Sequence, residues 1–454
     1  MKCDEAAGFL VAYARGELEA ATKIDLEEHL GRCANCAREL EDSRRVLAIT
    51  RLANDESTIK PASEIIMAAV ERDASDIHIE VDYREGVRVR LRVDGVLHEF
   101  RPQYPLEKEQ GKPLVARFKL MAGCNVDENH APQEGRIPFQ TKDGRRFDVH
   151  ISFAPNINGE SVVMRIVDRV SVLVGLDRLG FHPEALERLR AVIRRPTGLV
   201  VVTGPTGSGK TTTLYSIIQD VAVPEVKALT IEDPVEFDLP GIVQIGVDEK
   251  AGMTIPTALR SATRQDADII MVGEIRDAES LAISVELALW GHLVLICMHA
   301  PNAPYALGRL EDIGVVPIAL ASAVTGVLAQ RLVRTICPDC KQPYEPSAAV
   351  LEALTITAPG GVFYRGAGCA SCRQSGFKGR TGVFELLIVD DAVRELITRR
   401  AGLREIRAAA IAAGMSTLRE EATRLVQEGI TSVEEAVRLI AGIGYPMSGG
   451  PAFE

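Results

Sequence analysis

The stretch "LVVVTGPTGSGKTTTLYSII" (199–218) joins an apolar run to a glycine-rich turn and then to a helical pattern. Gly204, Gly209, Lys210 and Thr211 match the phosphate-binding motif G-x4-G-K-[ST], and the match lies between a predicted strand and a predicted helix, as the motif requires. The glycines allow backbone N–H groups to surround phosphates, and the helix N-terminus adds the positive end of its dipole. The stretch therefore predicts a nucleotide-binding α/β domain.

The side chains of this loop suit a bound nucleotide. Lys210 is long enough to reach the β- and γ-phosphates, and the Thr211 hydroxyl is a ligand for Mg²⁺. A chance glycine-rich turn is the alternative, which the flanking strand and helix disfavour. The residues predicted to bind the nucleotide and its Mg²⁺ are Gly204, Pro205, Thr206, Gly207, Ser208, Gly209, Lys210, Thr211 and Thr212.

Further apolar runs, separated by helical patterns, surround the loop. They include "GLVVVTG", "ALTIED", "DIIMVGE" and "HLVLICMHA", and such continuous runs are typical of strands buried in a parallel sheet. Residues 181–390 are therefore predicted to form a doubly wound α/β domain.

Acidic residues follow two of these runs, in "TIEDPVEF" (230–237) and "DIIMVGEIRD" (268–277). Ligands bind at the carboxyl ends of strands in open α/β sheets, so Glu232, Asp233 and Glu274 are candidates for holding Mg²⁺ through water and for orienting the attacking water. We expect Glu274 to activate the water, with Glu232 second. A solvated acidic face is the alternative interpretation.

Two histidines, His292 and His299, stand at the two ends of the run "HLVLICMH". A lone histidine is usually structural, whereas two histidines beside a phosphate site can sense the γ-phosphate. The sequence leaves both interpretations open.

Seven of the nine cysteines fall in two clusters with metal-ligand spacing. Two C-x2-C pairs separated by 28 residues fit a structural zinc site with four thiolate ligands: Cys337, Cys340, Cys369 and Cys372. A second, amino-terminal set has the ligand count of a three-cysteine, one-histidine zinc site, with incidental cysteines in a helix as the alternative: Cys3, His29, Cys33 and Cys36. The remaining two, Cys124 and Cys297, are predicted to be core residues.

Composition limits the functional classes. The chain of 454 residues has room for two to four domains, and its net charge of -11 and 5% aromatic content argue against a nucleic-acid motor. The first residues lack a signal-peptide pattern, and the longest apolar stretch (315–329) contains a proline and is short of the ~20 residues that span a bilayer. We expect a cytoplasmic protein that has no direct membrane span and reaches a membrane only through a partner.

The chain is predicted to contain several modules in order. Residues 60–168 show mixed α/β patterning with a hairpin signal at Asp94-Gly95. The predicted segments are a helical zinc module (1–45), a linker (46–59), the α/β domain (60–168), a hinge (169–180), the nucleotide-binding domain (181–390), a helical domain (391–445) and a disordered tail (446–454).

Taken together, these motifs resemble those of the type II secretion and type IV pilus assembly ATPases. The similarity covers about residues 60–440, including "ASDIHIE", "APQEGRIPF", "TRQDADIIMVGEIRD", "AQRLVRTICPDCK" and "GFKGRTGVFELL". It implies an N-terminal α/β domain tethered to a RecA-like ATPase domain, with a zinc subdomain inserted at about 334–384 and a small helical domain after it. It also implies a homo-hexameric ring that hydrolyses ATP and drives an inner-membrane platform protein, which assembles pilin-like subunits.

The resemblance assigns further roles and reveals departures. It places Arg136 of "QEGR" over the phosphates, but a second expected arginine is replaced by His150, which is largely neutral at pH 7, so a lower turnover is the hypothesis. Trp290 stands where the family usually has a threonine before Gly-His. The amino-terminal unit resembles the zinc module of anti-sigma factors, which is mostly a protein-docking unit.

Three functions follow from these observations. The first is an ATP-driven motor for pseudopilus or pilus assembly or protein export. A pilus-retraction motor is less favoured, because the retraction branch resembles the family without the zinc subdomain. The third is a nucleotide-gated regulatory scaffold with weak or no turnover, which the His150 change leaves open.

Overall fold

The structure is a computed structural model that describes residues 1–15, 17–82, 86–104, 106–141, 143–168, 174–354, 356 and 361–441. The chain divides into two compact units, Met1–Val170 and Ser171–Glu454. The predicted tail (446–454) and residues 169–173 of the predicted hinge lie outside the described residues.

Three helices begin the first unit. They are α1 (Cys3–Arg15), α2 (Ala20–Leu30) and α3 (Ala34–Ala53). Their shared core is small, and it consists of Ala6, Leu10, Leu26, Cys36 and Leu40. So few apolar side chains give a module this size little stabilisation, which is why a bound metal is expected to contribute.

The predicted linker (46–59) is mostly helical in the structure. Helix α3 runs to Ala53 and α4 (Glu56–Glu71) follows after a two-residue turn. The Asp55 side chain caps α4 by accepting a hydrogen bond from the Ser57 N–H. A helix that faces solvent along much of its surface has the same polar composition as a linker, so composition does not distinguish the two.

An antiparallel sheet forms the body of the first unit, in the region where the sequence shows mixed α/β patterning (60–168). Its six strands within the described residues lie in the order β3-β2-β1-β6-β5-β4. The elements are β1 (Ala74–Asp82), β2 (Gly86–Val93), β3 (Val96–Phe100), α5 (Gly111–Ala122), β4 (Gln133–Gln140), β5 (Arg146–Asn156) and β6 (Gly159–Asp168). The apolar face of the sheet packs against α4 and α5. Asp94 and Gly95, both at positive φ, form the predicted hairpin turn between β2 and β3.

A second sheet forms the body of the unit Ser171–Glu454. Its seven strands within the described residues lie in the order β15-β12-β7-β11-β10-β8-β9, and all neighbours are parallel except β15, which is antiparallel to β12. The elements up to β12 are α6 (Pro183–Ile193), β7 (Gly198–Thr203), α7 (Lys210–Val221), β8 (Ala228–Glu232), β9 (Val243–Gly246), α8 (Ile255–Ala262), β10 (Ile269–Val272), α9 (Ala278–Leu289), β11 (Leu293–Met298), α10 (Ala303–Ile313), α11 (Pro317–Ala323) and β12 (Val324–Ile336). The predicted parallel sheet is confirmed.

The cysteine-bearing segment follows β12 directly. It contains β13 (Lys341–Tyr344), α12 (Ala348–Ala353) and β14 (Phe363–Gly366), and the chain returns to the main sheet in β15 (Phe377–Ile388). Four amphipathic helices close the described chain, as the pattern predicts: α13 (Asp391–Thr398), α14 (Leu403–Ala412), α15 (Leu418–Gln427) and α16 (Val433–Ala441). Among the described residues, none of the helices has both the length and the apolar character needed to cross a bilayer.

Candidate functional site

The phosphate loop connects β7 to α7. Gly209 has φ of 87° and occupies the N-cap of α7, a conformation that glycine adopts without strain. A Cβ on Gly204 would lie 2.5 Å from both the Gln330 carbonyl oxygen and Ser208 Oγ, so only glycine fits there. The loop is therefore held closely against β12, and its helix end faces the carboxyl edge of the sheet.

The Lys210 side chain folds back over this loop. Its Nζ donates to the carbonyl oxygens of Gly204 and Pro205, both at 3.0 Å, and lies 3.5 Å from His299 Nδ1. Burial lowers the pKa of Lys210 from its usual value, and nearby Arg331 adds to this effect, while Cys297 and Glu274 oppose it. Thr211 and Thr212 follow in the first turn of α7.

Glu274 and His299 lie together at the carboxyl ends of adjacent strands. Their strands, β10 and β11, pair in parallel, so the residues that follow them meet at one edge of the sheet. His299 Nε2 is 2.6 Å from Glu274 Oε1, and His299 Nδ1 is 3.0 Å from the Gly204 carbonyl oxygen. His299 therefore bridges the phosphate loop and the carboxylate expected to activate water.

Arg276 completes this cluster and was not among the predicted site residues. Its Nε and Nη2 donate to Glu274 Oε2 at 2.9 and 2.5 Å. The sequence signal was present, because Arg276 belongs to "GEIRD" and stands two residues after the selected glutamate. Glu274 is thus held on one oxygen by an arginine and on the other by a histidine.

Glu232 occupies a different environment from Glu274. It is 3% exposed, its Oε1 accepts from Thr230 Oγ1 at 2.6 Å and from Gln244 Nε2 at 2.9 Å, and its Oε2 accepts from the Tyr215 hydroxyl. Burial and this hydrogen bond raise the pKa of Tyr215. Glu232 is therefore enclosed by its three donors, whereas the Glu274 side chain is 23% exposed and can meet water, so the geometry argues against Glu232 as the runner-up base.

Two further predicted residues, Asp233 and His292, lie at opposite edges of the sheet. Asp233 is exposed and directly follows β8 at the carboxyl edge. His292 lies at the opposite end of β11, where its Nδ1 is 2.7 Å from the Ala267 carbonyl oxygen. Six strand residues, at about 3.3 Å each, separate the two histidines. His292 therefore lies far from the phosphate loop, and the prediction that it senses the γ-phosphate together with His299 is wrong. The hydrogen bond to Ala267 fits the other interpretation, a structural histidine.

Arg136 lies in the other unit, on β4. Its Nη2 pairs with Asp148 Oδ2 at 2.5 Å, and the arginine is 46% exposed while the aspartate is 1% exposed. Arg136 therefore forms a structural ion pair with a buried aspartate. Its placement over the phosphates of a nucleotide stays a prediction.

His150 lies on β5, between Arg136 of β4 on one side and Arg165 of β6 on the other. Burial lowers the pKa of His150, and the positive charge of Arg136 lowers it further. The ring is therefore largely neutral at pH 7, in line with the prediction for a histidine at this position.

The four-cysteine cluster has the geometry of a tetrahedral site. The Sγ–Sγ distances are 3.8 Å for Cys337–Cys369, 3.7 Å for Cys340–Cys372 and 3.6 Å for Cys369–Cys372. Four sulfurs at the usual Zn–S length of about 2.3 Å would lie about 3.8 Å apart, so the residues fit the metal. The N–H groups of Cys369 and Gly376 also donate to Cys372 Sγ at 3.2 and 3.3 Å, which stabilises a thiolate.

The amino-terminal cluster also fits a metal. Cys3 Sγ is 3.8 Å from Cys33 Sγ, His29 Nε2 is 3.3 Å from Cys36 Sγ, and all four ligand atoms lie within 4.8 Å of one another. Cys3 is exposed, whereas Cys337 and Cys372 are both buried. This site is the more accessible of the two.

Comparison with known proteins identifies the family. A family model described as "Type II/IV secretion system protein" matches residues 51–438, most of the chain. The chain belongs to this secretion family. A second model, described as "Putative zinc-finger", matches residues 3–37 and agrees with the predicted amino-terminal zinc module.

Relatives of this secretion family member cover the same region. The type II secretion system ATPase E of Vibrio cholerae is 42% identical over 387 residues, which are 85% of this chain and 76% of that protein. The type IV pilus assembly ATPase PilB of Thermus thermophilus is also 42% identical over 387 residues, covering 84% of this chain but only 43% of that protein. The predicted resemblance is confirmed.

Solved structures of secretion ATPases share the fold of this family member. The Legionella pneumophila ATPase DotB aligns with a TM-score of 0.60 at 21% identity, covering 83% of this chain and 94% of that chain. The pilus retraction motor PilT, solved with bound ADP, aligns with a TM-score of 0.55 at 26% identity, covering 83% and 96%. The predicted RecA-like α/β fold is thereby confirmed.

Proposed function

We propose that this chain is a Mg²⁺-dependent ATPase that powers pseudopilus or pilus assembly, or protein export, in a type II secretion or type IV pilus machine. The observation that carries the proposal is the cluster at the carboxyl edge of the sheet. There Glu274 contacts His299, and His299 contacts both Lys210 and the Gly204 carbonyl. The relatives named as secretion and pilus assembly ATPases support the same function.

The proposed reaction converts ATP and water into ADP and phosphate. Glu274 accepts a proton from the attacking water as the new P–O bond forms, and the bond from the γ-phosphorus to the bridging oxygen breaks. Lys210 stabilises the negative charge on the β- and γ-phosphates. The Thr211 hydroxyl is the proposed protein ligand of Mg²⁺, which when bound would neutralise phosphate charge.

His299 has a proposed role in reporting the state of the nucleotide. It touches the phosphate loop through one ring nitrogen and Glu274 through the other, at 3.0 and 2.6 Å. A γ-phosphate that draws Lys210 away from the Gly204 and Pro205 carbonyls would therefore change the contacts of His299 and the position of the base.

The proposed assembly is a homo-hexameric ring at the cytoplasmic face of an inner membrane. There it would act on a membrane platform protein, and Arg136 would face a nucleotide phosphate. The amino-terminal zinc module would dock a partner. A deletion to test that role should end at residue 54, because a cut at 45 would divide α3.

Two alternative functions rest on separate observations. A nucleotide-gated scaffold is favoured by His150, whose lowered pKa leaves no positive charge where the family resemblance expects an arginine. A retraction motor is supported only by the likeness to PilT at 26% identity, and the four-cysteine cluster counts against it.

Steady-state phosphate release by the full chain with Mg²⁺ and ATP tests the proposal. Lys210→Ala should lower the rate by about 10²-fold or more, because a preorganised charge at the phosphates is lost. Lys250→Ala changes an exposed lysine outside the phosphate loop. It is the matched control and should release phosphate at the wild-type rate. Nucleotide binding without phosphate release by the wild-type chain would favour the scaffold instead.

A further inference from the structure

Two adjacent polar residues lie in the middle of the buried strand β12. Gln330 is 2% exposed and Arg331 is 9% exposed, while their neighbours Val327, Leu328 and Ala329 are fully buried and apolar. Burying a polar side chain is costly unless it has hydrogen-bond partners, so the partners of these two residues indicate what they do.

The Gln330 side chain holds the phosphate loop. Its Nε2 donates to the Ser208 carbonyl oxygen at 2.6 Å. A carbonyl can only accept, so the amino end of the amide must face Ser208. The backbone oxygen of Gln330 also packs against Gly204, and its Nε2 would lie 3.2 Å from a Cβ on Gly209. The first and second glycines of the motif therefore both lie against this residue.

Arg331 ties the same strand to a second loop of the site. Its Nη1 donates to the Gln330 carbonyl oxygen at 3.0 Å, and its Nη2 donates to the Pro301 carbonyl oxygen at 2.8 Å. Pro301 stands two residues after His299 in the sequence. Strand β12 thus connects the phosphate loop with the loop that carries His299.

Stability alone does not explain an amide at position 330. Gln330 Oε1 is buried and has no hydrogen-bond partner among the residues that the structure describes. A methionine would fill a similar volume without leaving a buried acceptor unpaired. The amide is therefore best explained by the bond that its other end makes to Ser208.

We propose that Gln330 is a positioning residue for the phosphate loop. In a planar trans peptide the C=O and the following N–H point in opposite directions. By holding the Ser208 carbonyl, Gln330 aims the Gly209 N–H away from β12 and towards the phosphates that the motif surrounds. This inference deepens the proposed function, and it depends on that function only for the identity of the ligand.

The test is the affinity of the full chain for Mg-ADP and Mg-ATP, measured by equilibrium titration. Gln330→Met should raise both dissociation constants about tenfold, because the loop loses the hydrogen bond that orients its peptide. The thermal midpoint without nucleotide should stay close to that of the wild type. Gln342→Met, at an exposed position on β13, is the matched control and should leave affinity unchanged. Dissociation constants within about twofold of the wild type in Gln330→Met would overturn the proposal.

A second variant keeps the proposal testable if Gln330→Met lowers the thermal midpoint. In Gln330→Glu a neutral carboxylic acid still has an O–H to donate to the Ser208 carbonyl, whereas the ionised form only accepts. Burial raises the pKa of such a carboxyl, so its ADP affinity, relative to that of the wild type, should recover as the pH falls from about 8 to about 6. No recovery on acidification would overturn the proposal. Because binding is measured directly, a chain that binds but does not hydrolyse ATP would refute the proposed function and leave this inference intact.

Discussion

At the scale of single residues, the position of a polar group along its strand separates chemistry from structure. His299 follows β11 at the carboxyl edge, where it contacts Glu274 and Gly204. His292 precedes the same strand and contacts the Ala267 carbonyl instead. Two histidines that look equivalent in the sequence therefore have different surroundings, because a strand carries its two ends to opposite edges of the sheet.

His150 leads to a prediction about turnover. His150→Arg should raise the ATPase rate by about tenfold or more, because an always-charged group would replace a ring whose pKa is lowered by burial and by Arg136. Phosphate release at saturating Mg-ATP checks this. His130→Arg makes the same change of side chain at an exposed position of the same unit and should have no effect. An unchanged rate in His150→Arg would refute the hypothesis that His150 limits turnover.

The residues that the sequence could not assign are those defined by contacts between separate elements of the fold. Glu274, Lys210 and the loop glycines follow from a motif or from strand ends, so local patterns were sufficient. The Gln330 contact spans 122 residues along the chain, and the contact of Tyr215 with Glu232 joins α7 to the end of β8. No periodicity in the sequence reports such pairs.

At the scale of elements, one buried carboxylate connects two helices to the sheet. Glu385 on β15 is fully buried, and its two oxygens accept from the N–H groups of Ala303 at 2.8 Å and Leu418 at 3.2 Å. These residues begin α10 and α15, so one carboxylate satisfies an orphan donor at each of two helix N-termini.

This arrangement predicts a loss of stability in Glu385→Gln. The amide would turn an N–H₂ group towards one of the two donors, which should lower the free energy of unfolding by about 2 kcal/mol. Urea denaturation, followed through the transition of the unit Ser171–Glu454, checks this prediction. Glu395→Gln, at an exposed position on α13, should unfold like the wild type. Equal unfolding midpoints for both variants would contradict it.

The two cysteine clusters predict two zinc ions in each chain. Cys33→Ser and Cys337→Ser should each reduce the zinc content from about two to about one, since each variant removes a ligand from one cluster. Elemental analysis of the purified protein measures this, and Cys124→Ser, outside both clusters, should retain two. A chelator should remove the amino-terminal ion first because Cys3 is exposed. Two ions retained in Cys33→Ser would refute the amino-terminal site.

At the scale of the whole molecule, strands and turns are easier to recognise in the sequence than the borders between segments. Strand runs and the hairpin at Asp94-Gly95 were recognisable because burial imposes a pattern on neighbouring residues. The border at 46–59 fell within helices, and α15 packs with Val333 and Val383 of the strands that flank the cysteine segment. Packing between segments far apart in sequence sets such borders, so composition does not reveal them.

The central claim is that the cluster of Lys210, His299 and Glu274 hydrolyses ATP. The most direct test compares ATP binding and phosphate release in Glu274→Gln, with Glu286→Gln, at an exposed position on α9, as the matched control. Loss of a general base should lower phosphate release by about 10²- to 10⁴-fold while the dissociation constant for Mg-ATP stays near that of the wild type. Phosphate release at the wild-type rate in Glu274→Gln would contradict the account.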